Sequence, residues 1–310
     1  MENQTVITEF ILTGLSSDPL IQLLLFVMFL IIFLVTLSGN VAIMVVTRID
    51  SSLQTPMFFF LSHLAFVDIC YSSVTVPKML GNLITMQKTI SREGCIAQIF
   101  FFFQAACAEV FILSAMAYDR YVAICDPLHY ITIMKKETCR QLVAGAWAMG
   151  FLEALVNVMP SLNLHFCMNN IISHYSCELP SLLMLSCTQT LTNFIVLLIS
   201  AFIFGVSSFL FTLISYIYII ASILKIRSSE GRRKAFSTCS SHLIVVGLFY
   251  IAAFFRYLKQ SSDSLIDLEK VVSIQYSILT PMLNPIIYSL KNNDIKKALA
   301  RMFGKYKFLR

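Results

Sequence analysis

Charge is what this sequence most lacks. Only 13% of its 310 residues are Asp, Glu, Lys or Arg, while 57% are hydrophobic, and the mean hydropathy is +0.78. A soluble globular protein carries about 25% charged residues. The shortage of charge therefore indicates that much of the chain faces lipid, rather than that it has a larger water-soluble core.

Several other features are missing as well. The sequence has no repeat at solenoid spacing and no low-complexity linker, so we predict a single domain over residues 1–310. Met1–Asp18 is polar and acidic and has no basic n-region, so no cleavable signal peptide is predicted. The first apolar segment is expected to serve as the signal anchor.

The sequence lacks the features that are usual in two other functional classes. An intramembrane enzyme needs a nucleophile and its base at one depth, and His63, His242 and the scattered serines form no such set. A transporter or channel favours an even number of helices with inverted repeats, which are also absent. We therefore predict that the protein is neither an enzyme nor a transporter.

Seven charge-poor segments are each long enough to cross a bilayer, which takes roughly 20 residues. Backbone groups in lipid cannot reach water, so these segments must be helices. The sequence predicts an all-α membrane protein, built as a seven-transmembrane helix bundle. The predicted spans are 20–47, 56–80, 95–118, 141–163, 191–224, 235–257 and 271–290.

The basic residues indicate the orientation. Most of the 23 Lys and Arg follow the first, third, fifth and seventh spans, and positively charged loops stay cytoplasmic. We predict a multi-pass protein of the plasma membrane with an extracellular N-terminus (1–19) and a cytoplasmic tail (291–310). The net charge of +6 reflects this topology, so nucleic acid is not expected as a partner.

Both ends of the chain carry a local signal. Asn3-Gln4-Thr5 is an Asn-x-Ser/Thr triplet on the predicted outer side, so we predict glycosylation of Asn3, with a chance triplet as the alternative. In the tail, apolar residues at helical spacing alternate with basic ones, which predicts a short amphipathic eighth helix on the inner leaflet. A solvated tail is the alternative. The residues concerned are Ile295, Leu299 and Met302, with Lys296, Lys297 and Arg301 between them.

Four cysteines fall on the predicted outer side. Cys95 begins the third span, and Cys167, Cys177 and Cys187 lie in the longest loop. Cysteines in an oxidising compartment form disulfides, and four of them allow three sets of two bridges. The residues alone do not choose among these three.

Five motifs occur in order at matching membrane depths, and together they carry a resemblance. The chain is similar to the olfactory receptors, a family of rhodopsin-like G-protein-coupled receptors with seven membrane helices. It departs from the family pattern at Gln54 and Phe58, where His and Tyr are usual. The motifs are Gly39-Asn40, Leu53–Leu61, Met116–Tyr130, Lys234–Leu243 and Pro281–Leu290.

The resemblance implies a function and partners. It implies an odorant receptor that binds a small, mostly apolar volatile in the outer half of the helix bundle. It also implies activation of a heterotrimeric G protein of the stimulatory, olfactory type, which raises cyclic AMP. The implied partners are the odorant, the G protein and membrane lipid, and no cofactor is required. The implied disulfides are Cys95–Cys177 and Cys167–Cys187.

The inner end of the third span holds the predicted switch. Arg120 is a permanent charge that Asp119 can hold in the resting state, and its release would let it meet the G protein. A simple interfacial anchor is the alternative. Asn284-Pro285 is expected to kink the seventh helix. The predicted coupling residues are Asp119, Arg120, Tyr121, Tyr216, Asn284, Pro285 and Tyr288.

Two carboxylates lie inside predicted spans. An ionised Asp68 or Glu109 in mid-membrane costs roughly 2.5–3.5 kcal/mol, and the pair would repel unless a proton or cation lies between. The resemblance to the olfactory receptors implies that both positions face a central polar site, where related receptors hold sodium. We favour a Na⁺ site at Asp68 and Glu109, or a shared proton, over two separately hydrogen-bonded acids.

The predicted ligand pocket is mostly apolar. Because helix three offers no carboxylate there, an amine ligand is disfavoured. Glu153 and Asn157, one turn apart on helix four, are either a polar element of the pocket or interhelical contacts. Phe202 is included with the predicted lining on helix five. The other predicted ligand residues are Phe102, Phe103, Ala106, Cys107, Ser200, Phe204, Tyr250, Ala253 and Tyr257.

Overall fold

Long apolar helices account for most of the chain. The structure is a computed structural model and describes residues 7–85, 88–166, 170–257 and 270–307. Asn3 and Cys167 lie outside these residues. Among these described residues, five helices are long and apolar enough to cross a membrane, and another helix contains the apolar stretch Cys239–Ala252.

The helices match the seven predicted spans. Helix α7 comprises residues 270–274, the π-helical Gln275–Leu279 and Thr280–Lys291. The others are α1 (Pro19–Ile49), α2 (Pro56–Ile84), α3 (Arg92–Cys125), α4 (Lys136–Val158), α5 (Leu191–Leu224), α6 (Ser229–Tyr257) and α8 (Asn293–Lys307).

Local signals fix the helix ends. Asp18 caps α1, with its carboxylate accepting hydrogen bonds from the amides of Leu20 and Ile21 at 2.8 and 3.1 Å. Ser91 caps α3 in the same way, through the amide of Gly94 at 3.0 Å. α3 and α4 begin before the predicted spans because their first turns carry charge, which a search for apolar segments leaves out.

α3 lies at the centre of the bundle and packs against α2, α4 and α5. The closest approach of α4 is at Gly150, where a Cβ atom would lie 2.4 Å from the carbonyl oxygen of Gln104. A larger residue would therefore push the two helices apart. α1 and α5 lie at the periphery and expose many apolar side chains.

A small sheet lies at the predicted outer end, where the sequence predicted only helices and loops. β1 (Glu9–Leu12) lies between β2 (Thr89–Ser91), which is antiparallel to it, and β3 (Ile171–Ile172), which is parallel. Phe10 and Leu12 of β1 are fully buried. The N-terminal segment is thus partly built into the fold.

Cys95 and Cys177 form a disulfide with a Cα–Cα distance of 5.4 Å, the pairing that the resemblance implies. Gln98 also links α3 to the loop, because its side-chain oxygen accepts a hydrogen bond from the backbone amide of Cys177 at 2.8 Å. Cys187 is also disulfide-bonded, but its predicted partner Cys167 lies outside the described residues.

The tail forms the predicted amphipathic helix, α8. Ile295 and Ala298 are buried against the inner end of the bundle. Arg301 bonds to the Asp50 carboxylate at 2.7 Å, in the loop between α1 and α2. Hydrogen bonds from Ser52, and to a smaller extent the charge of Arg301, hold the pKa of Asp50 below its ordinary value. Asp50 therefore keeps the charge that anchors α8.

Candidate functional site

Aromatic rings of three helices meet in the outer half of the bundle. The ring of Phe102 on α3 lies 5.2 Å from Tyr71 on α2 and 5.7 Å from Tyr276 on α7. Phe103 and Cys107 are buried one turn apart on α3, and Ala106 between them is half-buried. This part of α3 therefore combines large apolar surface with a small residue.

The other predicted ligand residues are placed unequally. Ser200 on α5 is buried, and Phe204 contacts Phe111 of α3 with ring centroids 6.4 Å apart. Phe202 is 68% exposed on the outside of the bundle, so its inclusion in the lining was wrong, because two positions along a helix turn a side chain to the other face. The side chains of Ala253 and Tyr257 lie outside the described part of the structure.

Tyr250 closes this region from below. Its hydroxyl donates to Ser208 at 3.1 Å, and the hydroxyls of Ser114 and Thr212 pair nearby at 3.3 Å. These contacts join α3, α5 and α6 at one depth. A ligand above them would touch residues of three helices at once.

The outer loop covers the same region with a hydrogen-bonded network. The hydroxyl of Tyr175 donates to Ser273 on α7 at 2.8 Å. Ser273 and Tyr276 both donate to the Glu178 carboxylate, each at 2.8 Å. This network was not predictable from the sequence, since the loop residues Tyr175 and Glu178 are far along the chain from Ser273 and Tyr276.

Two π-helical segments occur, at Ala201–Val206 in α5 and at Gln275–Leu279 in α7, and the second contains Tyr276 of the aromatic cluster. Such segments are rare and often lie at functional sites. They shift the register of the side chains that follow. Hydrophobic spacing alone did not predict them.

Three of the predicted switch residues, Asp119, Arg120 and Tyr121, lie at the inner end of α3. Arg120 forms an ion pair with Asp119 at 2.6 Å, and the Tyr130 hydroxyl donates to the other Asp119 oxygen at 2.8 Å. Burial, with the adjacent Asp119 carboxylate, raises the pKa of Tyr130 above its ordinary value. Tyr130 therefore stays protonated and donates. Tyr121 lies between Tyr118 and Tyr218.

His242 is a central residue that the sequence analysis did not assign. It is fully buried on α6. Its Nδ1 lies 2.5 Å from the Tyr216 hydroxyl on α5, and its Nε2 lies 3.0 Å from the carbonyl oxygen of Leu113 on α3. A carbonyl only accepts, so Nε2 carries the proton and Nδ1 accepts from Tyr216. His242 thus connects three helices.

Asp68 and Glu109 are both buried, at 0% and 1% exposure. Asn284 donates to both oxygens of Asp68, each at 3.0 Å. Among the described residues, Glu109 Oε1, Asn284 Oδ1 and the Tyr288 hydroxyl have no hydrogen-bond partner. Glu109 Oε1 and Asn284 Oδ1 are buried oxygens of a kind that can bind a hard cation.

Pro285, which is predicted to kink α7, packs against α1. Asn40 donates to the carbonyl oxygen of Pro281 at 3.0 Å, and a Cβ at Gly39 would lie 3.1 Å from Pro285. Because Pro285 lies inside the helix, it removes one backbone hydrogen bond. α7 can therefore bend where it contacts α1.

The seven helices, the outer loop bound by a disulfide and the inner Asp-Arg pair define a seven-helix membrane receptor. A family model described as "Olfactory receptor" matches residues 29–306. The chain belongs to the olfactory receptor family. It is therefore a multi-pass membrane protein and an odorant receptor, rather than an enzyme.

Individual relatives agree over almost the whole chain. Human "Olfactory receptor 8S1" is 53% identical over 294 residues, which cover 95% of this chain and 81% of that protein. Mouse "Olfactory receptor 5G9" is 47% identical over 306 residues, which cover 99% and 98%. Human "Olfactory receptor 5G3" is 46% identical over 308 residues, which cover 99% and 98%.

Proposed function

We propose that this receptor binds a small, neutral, mostly apolar volatile in the outer half of the bundle and activates a stimulatory G protein, which raises cyclic AMP. The observation that carries the proposal is the ion pair of Asp119 and Arg120 at the inner end of α3. A fixed cation held at the membrane surface can be released to a cytoplasmic partner.

The switch needs two packings of the bundle that are close in energy, with odorant and G protein favouring the same one. In the resting packing, Asp119 holds Arg120 and His242 connects α3, α5 and α6. Activation separates these contacts. Tyr216 and Tyr288 then turn toward Arg120, and α7 bends at Asn284-Pro285.

The proposal includes an orientation and a location. The N-terminus is extracellular, the receptor acts in the plasma membrane, and Asn3 carries a glycan. α8 lies on the inner leaflet, since its buried face has basic residues beside it. The docking of α8 through Ile295 and through Arg301 with Asp50 supports this placement.

A panel of volatiles tests the function. The full chain is expressed in cells that report cyclic AMP, and surface staining of living cells confirms delivery. We expect some neutral volatiles to raise cyclic AMP, and a purified preparation to accelerate GTP exchange on an added G protein. Flux or turnover without GTP exchange would instead indicate a transporter or an enzyme.

A sodium ion at Asp68 and Glu109 is a further part of the proposal, with Asn284 Oδ1 as an additional oxygen ligand. When bound, the ion supplies the positive charge that two buried carboxylates need. If it prefers the resting packing, added Na⁺ lowers basal activity. A proton shared by the two carboxylates is the alternative.

Asp68→Asn and Glu109→Gln should each weaken the effect of sodium. Loss of one carboxylate removes much of the attraction for the ion, so the sodium concentration needed should rise roughly ten-fold, or about 1.4 kcal/mol. Basal cyclic AMP is measured against Na⁺, with choline keeping ionic strength constant. Glu137→Gln, at an exposed position of α4, should respond as the wild type does. Equal responses in all variants would favour the shared proton.

Ala106→Leu tests the pocket. The larger side chain removes volume beside Phe102 and Phe103, so bulkier members of a homologous odorant series should lose potency first, by about ten-fold. Dose–response curves along the series provide the measurement. Ala97→Leu, at an exposed position of the same helix, is the matched control. A uniform loss across all chain lengths would indicate misfolding rather than a filled pocket.

A further inference from the structure

A buried carboxyl group lies where α3, α4 and α5 meet. Glu153 on α4 is only 6% exposed. The side-chain amide of Asn157, one turn further along, donates to Glu153 Oε1 at 3.2 Å and to the Ser200 hydroxyl of α5 at 3.0 Å. The Glu153 carboxyl also lies within electrostatic reach of the Cys107 thiol on α3.

Only one oxygen of this carboxyl group takes part in these hydrogen bonds. Glu153 Oε2 is buried and has no hydrogen-bond partner among the residues that the structure describes. Leaving a buried polar atom unpaired is unfavourable, so such atoms in native proteins usually serve a purpose. The bond from Asn157 to Oε1 lies within α4, and the bond from Asn157 to Ser200 makes the contact with α5; neither involves Oε2.

The position of Glu153 connects it with the proposed odorant site. The close approach of α4 to α3 at Gly150 brings Glu153, one turn further along α4, to the side of α3 that carries Cys107. Ala154, the next residue, packs in the same buried cluster as Phe103. Ser200 directly precedes the π-helical segment Ala201–Val206. Cys107 and Ser200, both predicted ligand residues, thus adjoin this carboxyl group.

We propose that Glu153 is the polar recognition group of the odorant site and that it selects small apolar molecules that carry a hydroxyl group. This inference rests on the proposed function. Of the two roles that the sequence left open for Glu153, it selects the polar element of the pocket.

The choice of a hydroxyl follows from the chemistry of Oε2. When ionised, Oε2 only accepts a hydrogen bond, and when protonated, it can donate one. An aldehyde or an ether only accepts, so each is complementary to one form alone. An amine that is charged is complementary only to the ionised form. An alcohol both donates and accepts, so it matches the carboxyl group in either form.

The first experiment uses the wild-type receptor. Straight-chain alcohols from hexanol to decanol, with benzyl alcohol, are compared with the aldehyde, methyl ether and amine of the same skeleton in cells that report cyclic AMP. We expect the best alcohol to act at a concentration about ten-fold below those of its matched congeners, since a buried polar group rejects ligands that leave it unpaired. An equal or better response to the aldehyde, the ether or the amine would overturn the proposal.

The second experiment changes the carboxyl group. Glu153→Gln keeps the shape of the side chain. If its amide oxygen accepts the hydrogen bond from Asn157, its amide nitrogen takes the place of Oε2, and this nitrogen only donates. The advantage of the alcohol over the aldehyde should then fall from about ten-fold to about two-fold or less. Glu137→Gln should keep the wild-type ratio. Glu153→Met, which has no oxygen, should likewise remove the advantage of the alcohol while the ether keeps its potency. An unchanged ratio in Glu153→Gln at normal surface level would refute the assignment.

The outcomes separate this inference from the proposed function. One outcome would be that the agonists lack a hydroxyl group and that the potency ratio of alcohol to aldehyde does not depend on Glu153. That result would overturn only the role of Glu153 and would leave the receptor function standing. The absence of any cyclic AMP response across the panel, with the receptor on the surface, would count against both. If Glu153→Gln fails to reach the surface, the ranking of ligands in the wild type decides.

Discussion

Arg120→Ala should abolish odorant-driven cyclic AMP while leaving most of the receptor at the cell surface. Loss of a charged, hydrogen-bonded contact between Arg120 and the G protein should cost about 2–5 kcal/mol, so the coupled population should fall roughly 30-fold or more. The guanidinium group is the only part of the proposed switch with a permanent charge that can meet the G protein. Surface staining and cyclic AMP are measured in the same cells.

Two comparisons make this result specific. Arg140→Ala removes an equal charge from an exposed position at the inner end of α4 and should signal normally. Asp119→Asn keeps the shape of the ion-pair partner but removes its charge, so basal activity should rise as Arg120 is freed. Undiminished odorant-driven cyclic AMP in Arg120→Ala would exclude Arg120 from the mechanism.

Cys95→Ser and Cys177→Ser should each block delivery to the cell surface. The disulfide closes a loop with a sequence separation of 82, and bridging a loop of that length stabilises the folded state by about 4 kcal/mol. That is a large share of the net stability of a folded domain. Flow cytometry of intact cells measures the loss.

The double mutant tests the pairing itself. Because both cysteines belong to one bond, Cys95→Ser with Cys177→Ser should be no worse than either single change. Cys70→Ser, which alters a cysteine that is free, should reach the surface normally. Losses that add in the double mutant would contradict a shared bond.

The positions of the spanning helices could be predicted from the sequence. Transfer of a segment into lipid depends on the residues of that segment alone, so the composition of each window of about 20 residues is enough to predict whether it spans the membrane. The same locality explains the errors at the ends. The first turns of α3 and α4 carry charge and lie beyond the apolar stretch, although their backbone is still helical.

The ion pair of Asp119 and Arg120 was also predictable, since the two residues are neighbours in sequence and the motif around them is distinctive. Their ion pair needs no partner from another helix. His242 was not predictable in the same way. Its role depends on Leu113 and Tyr216, which are far from it along the chain.

The outer half of the bundle shows the limit of sequence reasoning more clearly. Ser200 and Phe202 are two positions apart, and the packing of α5 buries the first and exposes the second. The small outer sheet joins strands from the N-terminal segment, the start of α3 and the long loop. Which side chains of α5 are buried and which strands pair depend on side chains and backbone groups that are distant in sequence.

The sequence by itself determined that this chain crosses a membrane several times, that it belongs among receptors and that Arg120 lies near the inner end of the third helix, because hydropathy and motifs are local properties. Only the tertiary structure decided which polar side chains find partners. Asn284 of α7 donates to Asp68 of α2, and Asn157 of α4 donates to Ser200 of α5. The physical reason is that a buried hydrogen bond depends on the distance and direction between groups on different helices, which the packing of the whole bundle sets.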